Sequence, residues 1–196
     1  VTPATFPAVV SCSLLGAFPR ALTEAEVVRE VSDITLWATT RGVRLSPDFN
    51  ANYADNMPAL LGNMIDEGII TRFDAGPETV YGIAEGQAAI ASFYRNTIVH
   101  FFLHRAVAEL ALLAVAERTS DAPTMERFWG EVRKLRDLFK FEFFYPETHA
   151  FEAQIDEELS REAPEWQTLL EDDAGNARIL LNALSPKVAH VTLMIC

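Results

Sequence analysis

The stretch FYRNTIVHFFLHRAVAELALLAVAER, residues 93–118, decides what kind of protein this is. From Ile98 to Ala116 it is long and apolar enough to suggest a bilayer span, yet His100, His104, Arg105 and Glu109 are set into it. On one continuous helix, at about 100° per residue, Thr97, His100 and His104 share a stripe with Phe93. Arg105 and Glu109 lie more than a quarter-turn from that stripe, and Arg95 is nearly opposite. A single span would hold ionised groups near mid-bilayer, each costing about 2.5–3.5 kcal/mol on insertion scales. Without lipid, a helix that is apolar on every side is the hub of a bundle. The expectation is a mainly α fold, with a long central helix from Glu85 or Gly86 to about Arg118 and a helical bundle over residues 86–196.

The chain has 196 residues, 49% of them hydrophobic, enough for one substantial core or two small modules. It begins with Val1 and shows no signal-peptide pattern, which reads as a piece of a longer protein. Two cysteines, Cys12 and Cys196, are too few to staple a secreted domain, so a reducing compartment is the expectation. Net charge is -12, with 5 basic and 11 acidic residues in 1–85 and 11 and 17 in 86–196. Neither half is a polycation, and nucleic-acid binding, which rests on neutralising phosphates, is not expected.

Residues 1–85 carry helix signals in TPATFPAVVSCSLLGAF and in PRALTEAEVVREVSDITLWATTRG, where Thr23 and Glu26 have capping-box spacing and Gly42 marks the end. A third helix, ADNMPALLGNMIDEG, closes at Gly68. IITRF and TVYGI, separated by DAGPE, read as a hairpin. Three helices and a hairpin follow the order of a winged helix. Between Asp55 and Glu67 the third helix has no Lys or Arg, whereas helices that read DNA grooves need them. A structural module is expected over an independent winged-helix regulator.

Beyond the central helix, TMERFWGEVRKLRDLFKFEFF reads as an amphipathic helix stopped by Pro146, with Met125, Phe128, Trp129, Val132, Leu135, Leu138 and Phe139 on the core face. It carries Arg127, Arg133, Lys134, Arg136 and Lys140, interleaved with Phe141, Phe143, Phe144 and Tyr145. These five cations are the candidate contact for an anionic membrane surface or a phosphate-bearing ligand, set against the preferred reading of a core-facing helix whose solvated basic side pairs with nearby acids. The rest reads as two or three helices broken near Pro164, Gly175 and Pro186. From Glu147 to Asp173 ten acids face one base, Arg161, a pattern expected of a solvated face.

The chemistry-bearing motifs are sparse. His100 and His104 have the i, i+4 spacing that grips zinc, but Phe101 stands where a zincin has Glu and no third ligand is suggested. His104 and Glu109 form H-x4-E, yet on a helix their directions differ by about 140°, which prevents the carboxylate from orienting the imidazole. No H-x4-D, G-x-S-x-G, phosphate-binding Walker loop or Cys-x-x-Cys occurs. The chain holds no self-sufficient catalytic site, and no cofactor or metal is expected.

FYRNTIVHFF and AELALLA, then LRDLFKFEFFYPE, resemble the C-terminal region of bacterial glycerol-3-phosphate acyltransferases of the actinobacterial type. VTPATF, RALTEAEVV and GIITRFDAGPETVYGIAEGQ look like the segment that follows the acyltransferase domain of that family. The resemblance runs from residue 1 to roughly 185 and leaves out AHVTLMIC. It implies a peripheral membrane enzyme on the inner face of the cell membrane, with acyl-CoA and glycerol 3-phosphate as substrates. Its H-x4-D and its phosphate-holding residues lie in the upstream domain, so none is carried onto this sequence. Tyr94, Arg95, Asn96 and His100 become candidates for a structural or interdomain role. Asn96 and His100 are expected to hydrogen-bond within the first module, and Arg95 to meet a carboxylate.

Overall fold

A computed structural model describes residues 3–50, 52–84, 86–118, 121–140 and 147–184. Within them the contacts divide the chain into two compact units, one up to Phe101 and the other from Phe102 onward. The sequence expectation is a change of module between residues 85 and 86 inside one compact unit; the contacts group residues 86–101 with the first unit. The reason lies in the packing of those residues on the first helix.

The first unit runs α1 (Phe6–Ala17), β1 (Leu22–Thr23), α2 (Glu24–Thr40), α3 (Met57–Asp66), β2 (Thr71–Phe73), β3 (Val80–Gly82) and α4 (Ala88–Asn96). Local chemistry sets most of these ends. The Thr5 hydroxyl accepts from the Ala8 amide at the start of α1. At α2 the capping box is complete: the Glu26 amide donates to Thr23 Oγ1 at 3.3 Å, and the Thr23 amide to Glu26 Oε2 at 2.9 Å. After α2 and α3 the chain turns through Gly42 and Gly68, at φ +72° and +71°, which a side chain would strain. The expected hairpin is present, with Arg72 opposite Tyr81. A third strand joins it, since Leu22 pairs with Tyr81 and Thr23 with Val80, giving the order β1-β3-β2. Those two residues are too few to show a period-2 pattern, and Thr23 also caps α2.

Gln87 ties α4 to the sheet: its Oε1 accepts from Thr71 Oγ1 at 2.8 Å and from the Ala84 amide at 2.9 Å. From there α4 packs along α1, which is apolar and mostly buried from Phe6 to Leu15. That packing extends the first unit beyond its hairpin.

The expected long central helix is two helices. α4 ends at Asn96, and α5 (Val99–Glu117) begins afresh. At the junction the bonds shorten to i→i-3: the amides of Thr97, Ile98 and Phe101 donate to the carbonyls of Tyr94, Arg95 and Ile98. The Thr97 hydroxyl also donates to the Tyr94 carbonyl, at 2.7 Å, in competition with the helical ladder. The phase of one continuous wheel therefore does not carry from Phe93 to His104.

The second unit contains α5 from Phe102 on, α6 (Thr124–Phe139), α7 (Thr148–Glu162), α8 (Trp166–Asp172) and α9 (Asn176–Ala183). α5 is the one helix among the described residues long and apolar enough to cross a membrane. Its charged residues Arg105 and Glu109 are instead paired inside the protein. Arg105 is 0% exposed. Its Nε donates to Glu109 Oε1 at 3.0 Å and its Nη1 to Glu158 Oε1 of α7 at 3.1 Å, with Glu162 Oε1 at 3.6 Å. Glu158 is buried. The acids of α7 are thus not all on a solvated face, because a buried guanidinium, which keeps its proton, requires counter-charge.

On α6 the buried residues are Phe128, Val132 and Phe139; Leu138, expected on the core face, is 67% exposed. The Phe128 and Trp129 rings meet Trp166 of α8 at 5.2 and 5.9 Å. Trp166 is buried and its indole N–H donates to Asp156. Phe141, Phe143, Phe144, Tyr145, Pro146 and Pro186 lie outside the described residues.

Stranding Glu109 and Glu158 should be expensive. Arg105→Met is expected to lower the unfolding free energy by about 3–5 kcal/mol, read from the urea midpoint by fluorescence of Trp129 and Trp166. Replacing the three together, with Arg105→Met, Glu109→Leu and Glu158→Leu, is expected to restore most of it. An unchanged midpoint for Arg105→Met alone would rule the network out as a constraint on the fold.

Candidate functional site

The first group of candidates sits at the end of α4. Ala91 and Arg95, one turn apart, are its buried residues. The Arg95 guanidinium donates from Nε and Nη2 to the same oxygen, Asn96 Oδ1, at 3.1 and 2.7 Å. Its Nη1 is buried without a partner. Among the described residues no carboxylate meets Arg95, contrary to the expectation; an amide from the neighbouring residue stands in that place. Asn96 accordingly bonds Arg95 rather than another part of the first module, and the residue is exposed. Tyr94 is half-buried, with its ring edge-on to Phe93 at 5.8 Å and its carbonyl holding Thr97. His100 is exposed, stacks on Phe101 at 4.0 Å, and has its pKa lowered by partial burial of the ring. Cys12 of α1 is buried, and burial pushes its thiol up to about 12 although the charge of Arg95 pulls it down.

The second group lies along α6. Arg127 Nη2 donates to the carbonyls of Val115, at 3.0 Å, and Arg118, closing the C-terminal end of α5. Arg133 Nε bonds Glu152 at 2.7 Å, and Lys134 Nζ bonds Glu131 at 2.8 Å. Glu131 also holds Arg118, at 3.2 Å. Arg136 has Asp137 at 3.8 Å and lies over the Phe151 ring. Lys140 is exposed at the end of the helix. A cleft of about 350 Å³ opens beside Gly130, with Arg118, Arg127 and Lys134 against Glu126 and Glu131. Three cations set against two carboxylates offer only weak attraction for an anion.

His104, half-buried on α5, faces Phe151 at 5.1 Å. Burial lowers its pKa, partly offset by a bond to Gln154 and the charge of Glu158, and Nε2 has no partner. Glu109 is bound to Arg105, so H-x4-E is not a dyad. Among the described residues no three His, Cys, Asp or Glu side chains gather where a metal could sit. Sequence reasoning missed Glu158 and Glu162 as partners of Arg105, because nothing local relates positions 53 and 57 residues apart.

The family model for the glycerol-3-phosphate acyltransferase C-terminal region matches residues 1–194, which carries the likeness past residue 185 into the final segment. The plsB1 proteins of Mycobacterium bovis and of two strains of Mycobacterium tuberculosis, which are named acyltransferases, are each 36% identical over 195 residues. The alignment covers 98% of this chain and 31% of each relative. The chain therefore spans about a third of the length of these relatives. No solved structure matches it significantly.

A thiol held this far from ionisation is inert. With Cys196 replaced by Ser, the native chain at pH 8 is expected to leave Cys12 unlabelled by a thiol reagent until denaturant is added. Rapid labelling of the native chain would place Cys12 at an accessible surface.

Proposed function

Because the chain belongs to the family of glycerol-3-phosphate acyltransferase C-terminal regions, we propose that it is the non-catalytic helical part of a glycerol-3-phosphate 1-O-acyltransferase of phospholipid biosynthesis, bracing the catalytic domain that precedes it. The observation that carries this reading is a match over nearly the whole chain to about a third of much longer acyltransferases. The missing H-x4-D supports it: without a positioned base a substrate hydroxyl is a poor nucleophile. In this role the winged-helix order of the first unit is scaffolding, since α3 carries neither Lys nor Arg. Acyl-CoA and glycerol 3-phosphate are the substrates of the parent, bound upstream.

The deciding comparison is between the parent enzyme, the parent lacking this region, and the region alone. The region alone is expected to show no transfer from acyl-CoA to glycerol 3-phosphate. Its deletion is expected to lower the parent's thermal midpoint and activity together. Turnover by the purified region, or full activity and stability after deletion, would defeat the reading.

Seating on the inner face of the cell membrane belongs to the same proposal, with the outer side of α6 as the candidate surface. Arg133 and Lys134 are exposed, but each already faces a carboxylate. Each cation contributes about 1 kcal/mol at most, and only within a Debye length. Weak, salt-sensitive adsorption is expected in vesicle sedimentation: binding to anionic vesicles only, fading at high salt, and reduced when Arg133, Lys134, Arg136 and Lys140 are changed to Gln. Equal recovery in the supernatant throughout would remove the membrane from the role of this segment.

A further inference from the structure

The fold treats its two deeply buried arginines differently. Arg105 is met by three carboxylates. Arg95, 3% exposed, is met by one amide oxygen; each guanidinium leaves one buried nitrogen unpartnered, Nη1 of Arg95 and Nη2 of Arg105, so the difference lies in the carboxylates. Arginine does not shed its proton to escape such a site. An amide oxygen placed across Nε and Nη2 occupies the edge at which a carboxylate would make two charge-assisted bonds.

That edge is reachable from outside. Asn96, which covers it, is exposed and lies only about 60° around the α4 axis from Phe93. Ile90, one turn back on the same outer side, is also exposed, and Phe93 is 68% exposed with its ring edge-on to that of Tyr94. A lone exposed Phe is ordinary. Two apolar side chains beside a buried cation that lacks a counter-charge form the plan of an interface: an apolar anchor next to a charged pair.

We propose that this face of α4 docks the catalytic part of the acyltransferase, with an Asp or Glu of that part displacing Asn96 from the Nε–Nη2 edge of Arg95 and apolar side chains covering Ile90 and Phe93. The inference rests on the bracing role proposed above. Two observations choose this occupant. More than two thirds of each matched relative lies outside the matched region, in the same polypeptide, so its effective concentration at this face is high. Charge selects an acid: in a chain of net charge -12 this buried cation meets no carboxylate among the described residues.

The test uses the parent enzyme with a protease site introduced ahead of Val1, cut and passed through gel filtration at physiological salt. The wild-type halves are expected to stay together. Phe93→Ser, Arg95→Met and Asn96→Asp are each expected to weaken retention by about tenfold or more, the last because the new carboxylate satisfies Arg95 internally and repels the incoming acid. Leu138→Ser, an equally exposed residue of the second unit, is the control and should have no effect. If the wild-type halves separate at once, the bracing role falls and this inference with it. If they hold together and Phe93→Ser and Asn96→Asp hold as firmly, the inference alone is overturned. Those two variants remain informative should Arg95→Met fail to fold.

Discussion

One buried guanidinium constrains the second unit. Arg105 sits where a residue of a hub helix must be covered, yet its charge does not vanish on burial. The side chain therefore dictates where carboxylates go. Glu109 supplies one from the next turn of α5, and α7 supplies Glu158 and Glu162. With that register set, the aromatic contacts of α6 and α8 and the bond from Trp166 to Asp156 belong to one consistent packing. Ionic pairing of this kind adds little net stability compared with apolar packing, but it penalises every arrangement that leaves a member unpaired. It selects one way of laying α7 against α5 rather than supplying the energy of the fold.

The first unit is organised by local bonds and by the length of α1. Caps at Thr5 and Thr23, left-handed turns at Gly42 and Gly68, and Gln87 bridging the sheet to α4 each act over a few residues or across one sheet edge. α4 is held on α1 by apolar contact and carries Arg95 into the interior without a carboxylate. The chain thus sets three carboxylates against one buried arginine and a single amide oxygen against the other.

Much of this was legible in the sequence. The capping box, the two helix-ending glycines, the hairpin and the amphipathic α6 all follow from patterns within a single turn or two, and each is present. The misreadings have local causes as well as distant ones. β1 has two residues, too few for alternation, and the break between α4 and α5 depends on a threonine hydroxyl taking a carbonyl that the helix would otherwise use. Of the candidate cluster, Arg95 and Asn96 are joined to each other, while His100 lies beyond the break; the basic residues of α6 mostly hold acids or the end of α5.

By itself, then, the sequence determined where most helices begin and end, that the fold is mainly α, and that it contains no H-x4-D motif. Those properties depend on residues a few positions apart, whose geometry the backbone fixes in advance. Only the tertiary structure decided which charges are buried and what meets them. Arg105 and Glu158 are 53 positions apart and 3.1 Å in space, and an acidic run looks the same in sequence whether it faces water or a guanidinium.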